Sequence, residues 1–252
     1  RLGELWSIFS FLMPGYLPPY KNFCARFEKP IVQEEDANAV RRLNQLTGPF
    51  ILRRMKADVL RELPPKTENV HRIELDTEQR KLYLAAVVDA REKLRAAKPE
   101  DKMAVFAVLM RLRQICCDPR LVADNWSGGS AKLDACMELV TAAVEGGHRI
   151  LLFSQFTSML DLLAQRLDEA GVSHFTLQGS TPKPVRAERV RRFNAGEASV
   201  FLISLRAGGT GLNLTAADIV IHYDPWWNVA AQNQATDRAY RIGQKNPVQV
   251  YK

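Results

Sequence analysis

Three short segments in the second half of the chain contain residues whose types and spacing could do chemistry. The first places three glycines within four positions, Gly208, Gly209 and Gly211, shortly after Ser204 and Arg206. Glycines let backbone N–H groups approach a phosphate closely, while the serine hydroxyl and the guanidinium would add a donor and a cation. An ordinary glycine-rich turn after a strand has the same composition, so this segment by itself leaves both interpretations open.

The second segment holds two arginines, Arg238 and Arg241, three positions apart and just before Gly243. This spacing predicts that both side chains lie on one face of a helix, close to the helix end. Two guanidinium groups directed together can stabilise the charge on a transferring phosphoryl group. Cations near a helix C-terminus also occur because they interact favourably with the helix dipole, and the spacing does not separate these alternatives.

The third segment, residues 224–228, reads Asp-Pro-Trp-Trp-Asn and directly follows a predicted strand. Because neighbouring residues of an extended segment point in opposite directions, Trp226 and Trp227 cannot both enter one core. We expect at least one of the two indoles to meet a cleft, a ligand or another domain; the alternative is a packed aromatic corner.

From residue 131 onwards, amphipathic helices alternate with short apolar runs. Buried strands are predicted at residues 150–153, 174–177, 200–204 and 219–223, followed by a helix at about 229–241 and a strand from Val248. Continuous apolar strands separated by helices predict an α/β fold, in which a parallel sheet is covered on both faces and joined by right-handed crossovers. In such sheets ligands bind at the carboxyl ends of the strands, so we place the candidate site there.

The first 130 residues predict mainly helices. Apolar stripes indicate helices at residues 5–12, 40–46, 77–94 and 105–115. A strong helix breaker, Leu-Pro-Pro at residues 63–65, is followed by an alternation of His71, Ile73 and Leu75 that predicts a strand. This change of pattern places a domain boundary near residue 65.

Composition limits the classes of partner. The 35 Lys+Arg against 28 Asp+Glu give a net charge of +7, which permits a polyanionic partner without requiring one. The longest apolar run, residues 103–110, is far shorter than the roughly 20 residues of a membrane span, so no membrane partner is expected. The four cysteines lack C-x-x-C spacing and the four histidines are scattered, so we expect reduced thiols and no metal site. A basic cluster fits either a DNA-facing surface or a solvated helix face; it comprises Lys183, Arg186, Arg189, Arg191 and Arg192.

The amino-acid sequences and the order of several segments match those of a known family. The segments are ILLFSQF at 150–156, LQGSTP at 177–182, SLRAGGTGLNL at 204–214, DPWWN at 224–228 and QATDRAYRIGQ at 234–244. Upstream lie PFILRRMKADVLRELPPK at 49–66 and LRQICCDP at 112–119. Together they resemble the SWI/SNF family of helicase-like, DNA-dependent ATPases in helicase superfamily two, and the resemblance covers nearly the whole chain. The later segments fall where this family has motifs IV, V and VI.

The resemblance implies an architecture of two RecA-like lobes, with ATP in the cleft between them and duplex DNA across both. Residues 66–252 would form the second lobe, an α/β fold with a RecA-like parallel sheet and helices on both faces. Residues 26–65 would form a helical insertion, which makes an N-terminal helical subdomain. Residues 1–25 would be the end of the first lobe and a linker.

The resemblance also implies roles for individual residues. Arg238 and Arg241 match the arginine fingers of motif VI, and Trp226 falls where nucleotide state is coupled to DNA movement. The positions near ATP are Gln234, Gly209 and Gly211. The positions that face a DNA strand are Gln155, Gly179, Ser180, Ser204 and Arg206.

Two motifs of such motors are missing from these residues. The chain contains no G-x-x-x-x-G-K-[ST] loop and no D-E-x-H after an apolar strand, so ATP and Mg²⁺ would be bound mainly by the first lobe. We therefore expect the second lobe of an ATP-driven translocase, inactive alone, with double-stranded DNA and the first lobe as partners. The start at Arg1 and the end within an apolar alternating run favour a piece of a longer protein.

Two alternative functions stay open. A non-catalytic docking module for nucleic acid or protein would keep the fold without the chemistry, although such a module does not need the arginine spacing. An RNA helicase lobe is the other alternative, which the wording RAGGTGLNL and DPWWN disfavours. The glycine-rich sequence favours localisation in a bacterial cytoplasm over a nucleus.

Overall fold

The chain divides into two compact units, Arg1–Arg61 and Glu62–Lys252. The computed structural model describes residues 1–52, 63–96, 102–207 and 211–252. The first unit is helical: α1 (Leu2–Leu12), α2 (Tyr20–Phe23), a π-helical turn (Cys24–Glu28), α3 (Lys29–Gln33), α4 (Ala37–Thr47) and a 3₁₀ turn (Gly48–Phe50).

The helices of the first unit pack around a small aromatic core. Phe9 of α1, Phe23 and Phe27 of the next turns and Leu43 of α4 are buried together. The Asp36 carboxylate caps α4 by accepting the N–H of Asn38 at 2.8 Å, which satisfies one of the free donors at the helix start. The helices predicted from the apolar stripes at residues 5–12 and 40–46 are therefore confirmed.

The second unit begins with a strand and a pair of helices, and helices and strands then alternate. Its elements are β1 (Lys66–Asn69), α5 (Thr77–Ala96), α6 (Lys102–Cys117), a 3₁₀ turn (Pro119–Leu121), α7 (Ala131–Glu145), β2 (Ile150–Ser154), α8 (Thr157–Glu169), β3 (His174–Leu177), α9 (Lys183–Asn194), β4 (Val200–Ser204), β5 (Ile219–His222), α10 (Val229–Thr236) and β6 (Val248–Tyr251).

These strands form one parallel sheet in the order β1-β6-β5-β2-β4-β3. Strand β2 lies in the middle, where Ile150 pairs with Val200 of β4 and with Ile219 of β5. The predicted parallel sheet is confirmed, with strand bounds that differ from the predicted ones by at most one residue between residues 150 and 222.

Both faces of the central strands are buried, because alternate side chains enter two separate cores. Leu152 and Leu202 pack with helices α7 and α8 on one face. Phe153 and Phe201 pack with Phe193 of α9 and with α10 on the other. This two-sided burial explains why the strands are apolar at nearly every position and confirms helices on both faces of the sheet.

The strand predicted at residues 71–75 is wrong. Pairing with β6 stops at Asn69, and beyond it the His71 N–H donates to the Lys252 carbonyl oxygen at 2.9 Å without a continued ladder. Val70 and Ile73 remain exposed, so the alternation of this segment does not bury a sheet face. In the described part of the chain, no helix is long and apolar enough to cross a membrane.

The two-sided core predicts a large effect of truncating a central strand residue. Leu152→Ala removes a fully buried side chain from β2 and should lower the free energy of unfolding by about 3 kcal/mol. The matched control is Leu84→Ala, since Leu84 is 54% exposed and its change should cost within about 0.5 kcal/mol. Urea denaturation followed by far-UV circular dichroism measures both, and equal costs would contradict this description of the core.

Candidate functional site

The carboxyl ends of β5, β2 and β4 lie side by side at the centre of the sheet. Ser154 pairs with Ser204, so the loops that follow β2 and β4 start at the same level. The Leu205 N–H donates to the Ser154 carbonyl oxygen at 2.9 Å, and the Tyr223 N–H donates to that of Phe153 at 3.0 Å. We call this side of the sheet the carboxyl edge; it brings together segments that are far apart in sequence.

Asp224 ties two of these loops together. Its side chain is buried, and both carboxylate oxygens accept the backbone N–H of Gln155, at 3.2 and 3.1 Å. Burial raises the pKa of Asp224 to about 6, although the N–H of Gln155 and the hydroxyl of Ser154 favour the charged form. The carboxylate therefore fixes the loop after β5 against the first residue after β2.

The residues expected to face DNA lie along the carboxyl edge in different environments. Gly179 and Ser180 are exposed in the turn after β3, and Arg206 is exposed in the turn after β4. The buried Ser204 hydroxyl accepts the Ala207 N–H at 3.3 Å, so it caps the turn that leads into the glycines. Both polar atoms of the Gln155 side-chain amide are buried, without a hydrogen-bond partner among the residues that the structure describes.

The glycine-rich loop is described only at its second end. Gly209, predicted to lie near ATP, falls outside the described residues, as do Gly208 and Thr210. Gly211 has a φ of +45°, a left-handed conformation that disfavours residues with a side chain. No atom of the described residues lies within 4 Å of a Cβ atom built at this position, so among them backbone geometry rather than space explains the glycine.

Arg238 and Arg241 do not lie on a helix, and the prediction of a shared helical face is wrong. Helix α10 ends at Thr236, whose carbonyl oxygen accepts the N–H groups of Ala239 and Tyr240, both at 3.1 Å. The chain then runs through turns that we call the arginine segment, residues 237–243. Tertiary hydrogen bonds hold this segment and override the helical pattern.

The arginine segment is bound to the residues that follow the glycine-rich loop. The Leu214 N–H donates to the Arg238 carbonyl oxygen at 3.0 Å, and Arg241 Nη1 donates to the Leu212 carbonyl oxygen at 3.2 Å. Burial and the positive charge of Arg241 lower the pKa of Arg238, which is 7% exposed. The two guanidinium groups thus repel each other electrostatically, although they lie in turns. Gln234, the other side chain predicted near ATP, is exposed on α10.

The tryptophan loop, residues 224–228, holds its two indoles in a stack. The ring centroids of Trp226 and Trp227 are 4.6 Å apart, and Trp227 is 53% exposed. The backbone N–H of Trp226 donates to Gln232 Oε1 at 3.3 Å. The Asn228 side chain caps α10 by accepting the backbone N–H of Ala231 at 3.2 Å. The loop is therefore joined directly to the helix that leads into the arginine segment.

Three buried polar side chains support the site and were not singled out from the sequence. His222 Nε2 and Thr236 Oγ1 are 2.8 Å apart, which links β5 to the end of α10. Gln244 Nε2 donates to the carbonyl oxygens of Ala217 at 2.7 Å and Ala239 at 3.2 Å. The adjacency of His222 to the Asp-Pro-Trp-Trp-Asn segment is the one signal that could have drawn attention to it.

Most side chains of the basic cluster on α9 form ion pairs or hydrogen bonds within the chain. Arg191 pairs with Glu188 at 2.7 Å, and Arg192 pairs with Glu197 at 2.6 Å. Arg189 donates to the Thr176 carbonyl oxygen, and Arg186 Nη1 lies 3.4 Å from that of Ala207. The four cysteines are free, and the described residues contain no group of three or more His, Cys, Asp or Glu side chains that could hold a metal ion.

Two family models match the chain. Residues 1–121 match the SNF2-related domain, and residues 131–243 match the helicase conserved C-terminal domain. The chain is 41% identical over 261 residues to a putative ATP-dependent helicase/translocase, YwqA, of Bacillus subtilis; the match covers 100% of this chain and 28% of the relative. It is 37% identical over 265 residues to the mouse SWI/SNF-related matrix-associated actin-dependent regulator of chromatin subfamily A member 1, with coverages of 100% and 25%.

Two solved ATPase structures are similar to this chain. The Sulfolobus solfataricus SWI2/SNF2 ATPase core in complex with dsDNA is 33% identical, with a TM-score of 0.66, and the match covers 100% of this chain and 54% of that one. The C-terminal part of the Fun30 ATPase domain shares the fold at 24% identity, with a TM-score of 0.63 over 75% of this chain and 84% of that one. The chain spans only 28% and 25% of the two curated relatives named above.

The buried imidazole predicts a specific pH dependence of stability. Burial lowers the pKa of His222 to about 4, so between that value and the unfolded value of about 6.5 only the unfolded chain binds the proton. This group alone should remove about 2 kcal/mol of stability between pH 7 and pH 5. The raised pKa of Asp224 acts in the opposite direction, because there the folded chain keeps the proton.

A variant separates the two contributions. His222→Gln cannot be protonated in this range but keeps Asp224, so its stability should fall less between pH 7 and pH 5 than that of the native chain. Urea midpoints measured at several pH values for both proteins give the difference. Parallel pH profiles for the native chain and the variant would show that His222 is not held neutral.

Proposed function

Because the chain belongs to the SWI/SNF family of helicase-like ATPases, we propose that it forms the second RecA-like lobe of an ATP-driven translocase on double-stranded DNA. In this proposal the lobe supplies arginine fingers and contacts to the DNA backbone. The observation that carries the proposal is the attachment of the arginine segment to residues 212–214, through the bonds Leu214–Arg238 and Arg241–Leu212. This attachment places two cations beside residues 212–214, which directly follow the glycine-rich stretch in the sequence.

Arg238 and Arg241 act in the proposal as the groups that meet the charge of the transferred phosphoryl. Burial and the charge of Arg241 lower the pKa of Arg238, while the charge of Asp237 raises it. Two neighbouring guanidinium groups suit a polyanionic phosphate chain. Gln234, Gly209 and Gly211 would line the same nucleotide. Bound ATP supplies the phosphoryl group whose transfer drives movement.

Mg²⁺ would be held by the first lobe. The described residues contain no group of three or more His, Cys, Asp or Glu side chains that could hold a metal ion. The chain also lacks a phosphate-binding G-x-x-x-x-G-K-[ST] loop. We therefore propose that these residues hydrolyse ATP only together with the first lobe, and that this lobe is their direct partner.

The DNA-facing residues of the proposal are those along the carboxyl edge. Gly179 and Ser180 offer exposed backbone groups, and Arg206 offers an exposed cation. Gln155 and Ser204 lie at the ends of the two central strands, where they would fix the loops against the sugar-phosphate backbone. Such contacts position a duplex without reading its sequence.

Trp226 links the two sites in this proposal. Its loop is joined to the DNA side by the bond between Asp224 and Gln155, and to the arginine segment through Gln232 of α10. A shift of the arginine segment that follows the state of the nucleotide would therefore be passed to the DNA side. In the intact protein, residues 26–65 would form the helical insertion, and residues 1–25 would form the end of the first lobe and a linker.

The chain should bind DNA weakly and without sequence preference. Its net charge of +7 and the backbone donors at the carboxyl edge predict contacts with phosphates, whose binding free energy depends on counterion release. Fluorescence anisotropy with several duplexes at two salt concentrations measures this, with an RNA duplex of equal length as the comparison. Salt-insensitive binding, or a strong preference for one sequence or for RNA, would count against the proposal.

Hydrolysis of ATP should require both the intact protein and its arginines. Arg238→Ala and Arg241→Ala in the intact protein should each lower DNA-stimulated turnover by roughly 10³-fold while nucleotide binding changes little, because the charge they meet develops in the transition state. Arg241→Lys should also fail, since lysine lacks the planar fork.

The control for hydrolysis is the 252-residue chain itself, which should release no phosphate above background. The measurement is phosphate release with and without duplex DNA. Robust hydrolysis by this chain, or near-normal turnover in both alanine variants, would reject the assignment of the arginines. Stimulation by RNA alone would favour the RNA helicase alternative.

A further inference from the structure

The segment Leu-Arg-Gln-Ile-Cys-Cys-Asp-Pro, residues 112–119, has no role in the proposed function, yet it lies against the tryptophan loop. Arg113 of α6 reaches across 112 positions of sequence to donate from Nη2 to the Pro225 carbonyl oxygen at 2.8 Å. The same nitrogen is 3.4 Å from the carbonyl oxygen of Asp224. One guanidinium therefore bridges the first two residues of the tryptophan loop.

The guanidinium of Arg113 also lies over the stacked indoles. Its central carbon is 4.9 Å from the ring centroid of Trp227 and 5.4 Å from that of Trp226. Phe106, two helical turns earlier on α6, meets the Trp227 ring edge-on at a centroid distance of 5.8 Å. Helix α6 thus presents a cation and an aromatic ring to the same tryptophan pair, a favourable arrangement for both.

The rest of the segment anchors α6 to the sheet. The Cys117 carbonyl oxygen accepts hydrogen bonds from the Tyr223 hydroxyl at 2.8 Å and from the Ser130 hydroxyl at 3.1 Å. The fully buried Gln79 of α5 donates to the Ile115 carbonyl oxygen at 2.8 Å. The support beneath Arg113 is therefore fixed to both α5 and the strand that leads into the tryptophan loop.

We propose that Arg113 is a positioning residue that clamps the tryptophan loop to helix α6 and so couples ATP hydrolysis to DNA movement; the second half of this inference rests on the proposed function. The loop lies between Gln155 on the DNA side and Gln232 on the side of the arginine segment. A loop held by its backbone carbonyls and both indoles transmits a displacement from one side to the other. Without the clamp, the loop keeps its bonds to both sides but transmits a smaller part of the displacement.

Lysine cannot replace this arginine. The guanidinium of Arg113 donates to the backbone from Nη2 while its flat face covers the two rings. Its Nη1 is buried, with no hydrogen-bond partner among the described residues. An ammonium group provides a point charge and cannot satisfy both contacts. Arg113→Lys should therefore resemble Arg113→Met in function while it keeps the charge.

The first test measures the tryptophan pair directly in the 252-residue chain. Two closely stacked indoles give an exciton couplet in circular dichroism, and Trp227→Phe defines its complete loss. Arg113→Met and Arg113→Lys should reduce the couplet at least about twofold, because in both variants the pair loses the planar guanidinium that covers it. Arg111→Met is the matched control, an exposed arginine on the same helix, and should leave the couplet unchanged.

A native couplet in either Arg113 variant overturns the clamp. Urea midpoints measured beside the spectra show whether a variant is folded, and Arg113→Lys decides the question if Arg113→Met does not fold.

The second test measures how ATP hydrolysis is coupled to DNA movement in the intact protein. It compares the amount of ATP hydrolysed with the number of third strands displaced from triplex DNA. Both Arg113 variants should hydrolyse ATP within about twofold of the native rate while the ATP used per displacement rises about tenfold, as expected for a misplaced loop. Arg111→Met should keep the native ratio. A native ratio in the Arg113 variants, or hydrolysis and displacement that fall in the same proportion, overturns the coupling role. If the intact protein shows no DNA-stimulated hydrolysis at all, the proposed function fails, and the couplet still decides whether Arg113 holds the tryptophans.

Discussion

Burial of both sheet faces is the constraint from which the rest of the second unit follows. Strands β2 and β4 are buried at every position, so they can carry only apolar side chains between their ends. Polar groups that serve a ligand must then lie where the strands end. Because all the strands run in parallel, their carboxyl ends share one edge, and the loops after β2, β4 and β5 become neighbours.

Buried polar side chains hold the segments around the sheet in place. Asp224 fixes the loop after β5 to the residue after β2, His222 bonds to Thr236 at the end of α10, and Gln244 bonds to the backbone of Ala217 and Ala239. Burial raises the pKa of Asp224 and lowers that of His222, since in each case it disfavours the charged form. The site thus gains its geometry at a cost in stability, which the apolar cores on both faces offset.

Sequence patterns predicted β2, β4 and β5 because each is a nearly continuous apolar run. They missed β1, whose four residues, Lys66–Asn69, are all polar. The meeting of the loops after β2, β4 and β5 at one edge also followed from the parallel topology. The helical pattern through Arg241 failed because Leu214 binds the Arg238 carbonyl, a contact between distant residues that periodicity does not contain. Residues 71–75 form no strand in the structure, where the ladder between β1 and β6 ends at Asn69 and Tyr251.

The role of residues 112–119 illustrates a different limit. Their wording marked them as part of the family pattern, yet no spacing rule connects Arg113 to a loop more than a hundred positions later. Only the packed structure places its guanidinium on Pro225 and over the indoles. Residues that position a site through tertiary contacts are thus the part of a site that local patterns omit.

The most direct test of the account is a structure of the intact protein with duplex DNA and a non-hydrolysable ATP analogue. The account predicts that the guanidinium groups of Arg238 and Arg241 lie within about 3 Å of phosphate oxygens of the nucleotide. It also predicts that the DNA backbone lies against the carboxyl edge at Gly179, Ser180 and Arg206. A nucleotide that neither arginine contacts, or a duplex bound at the opposite edge of the sheet, would contradict it.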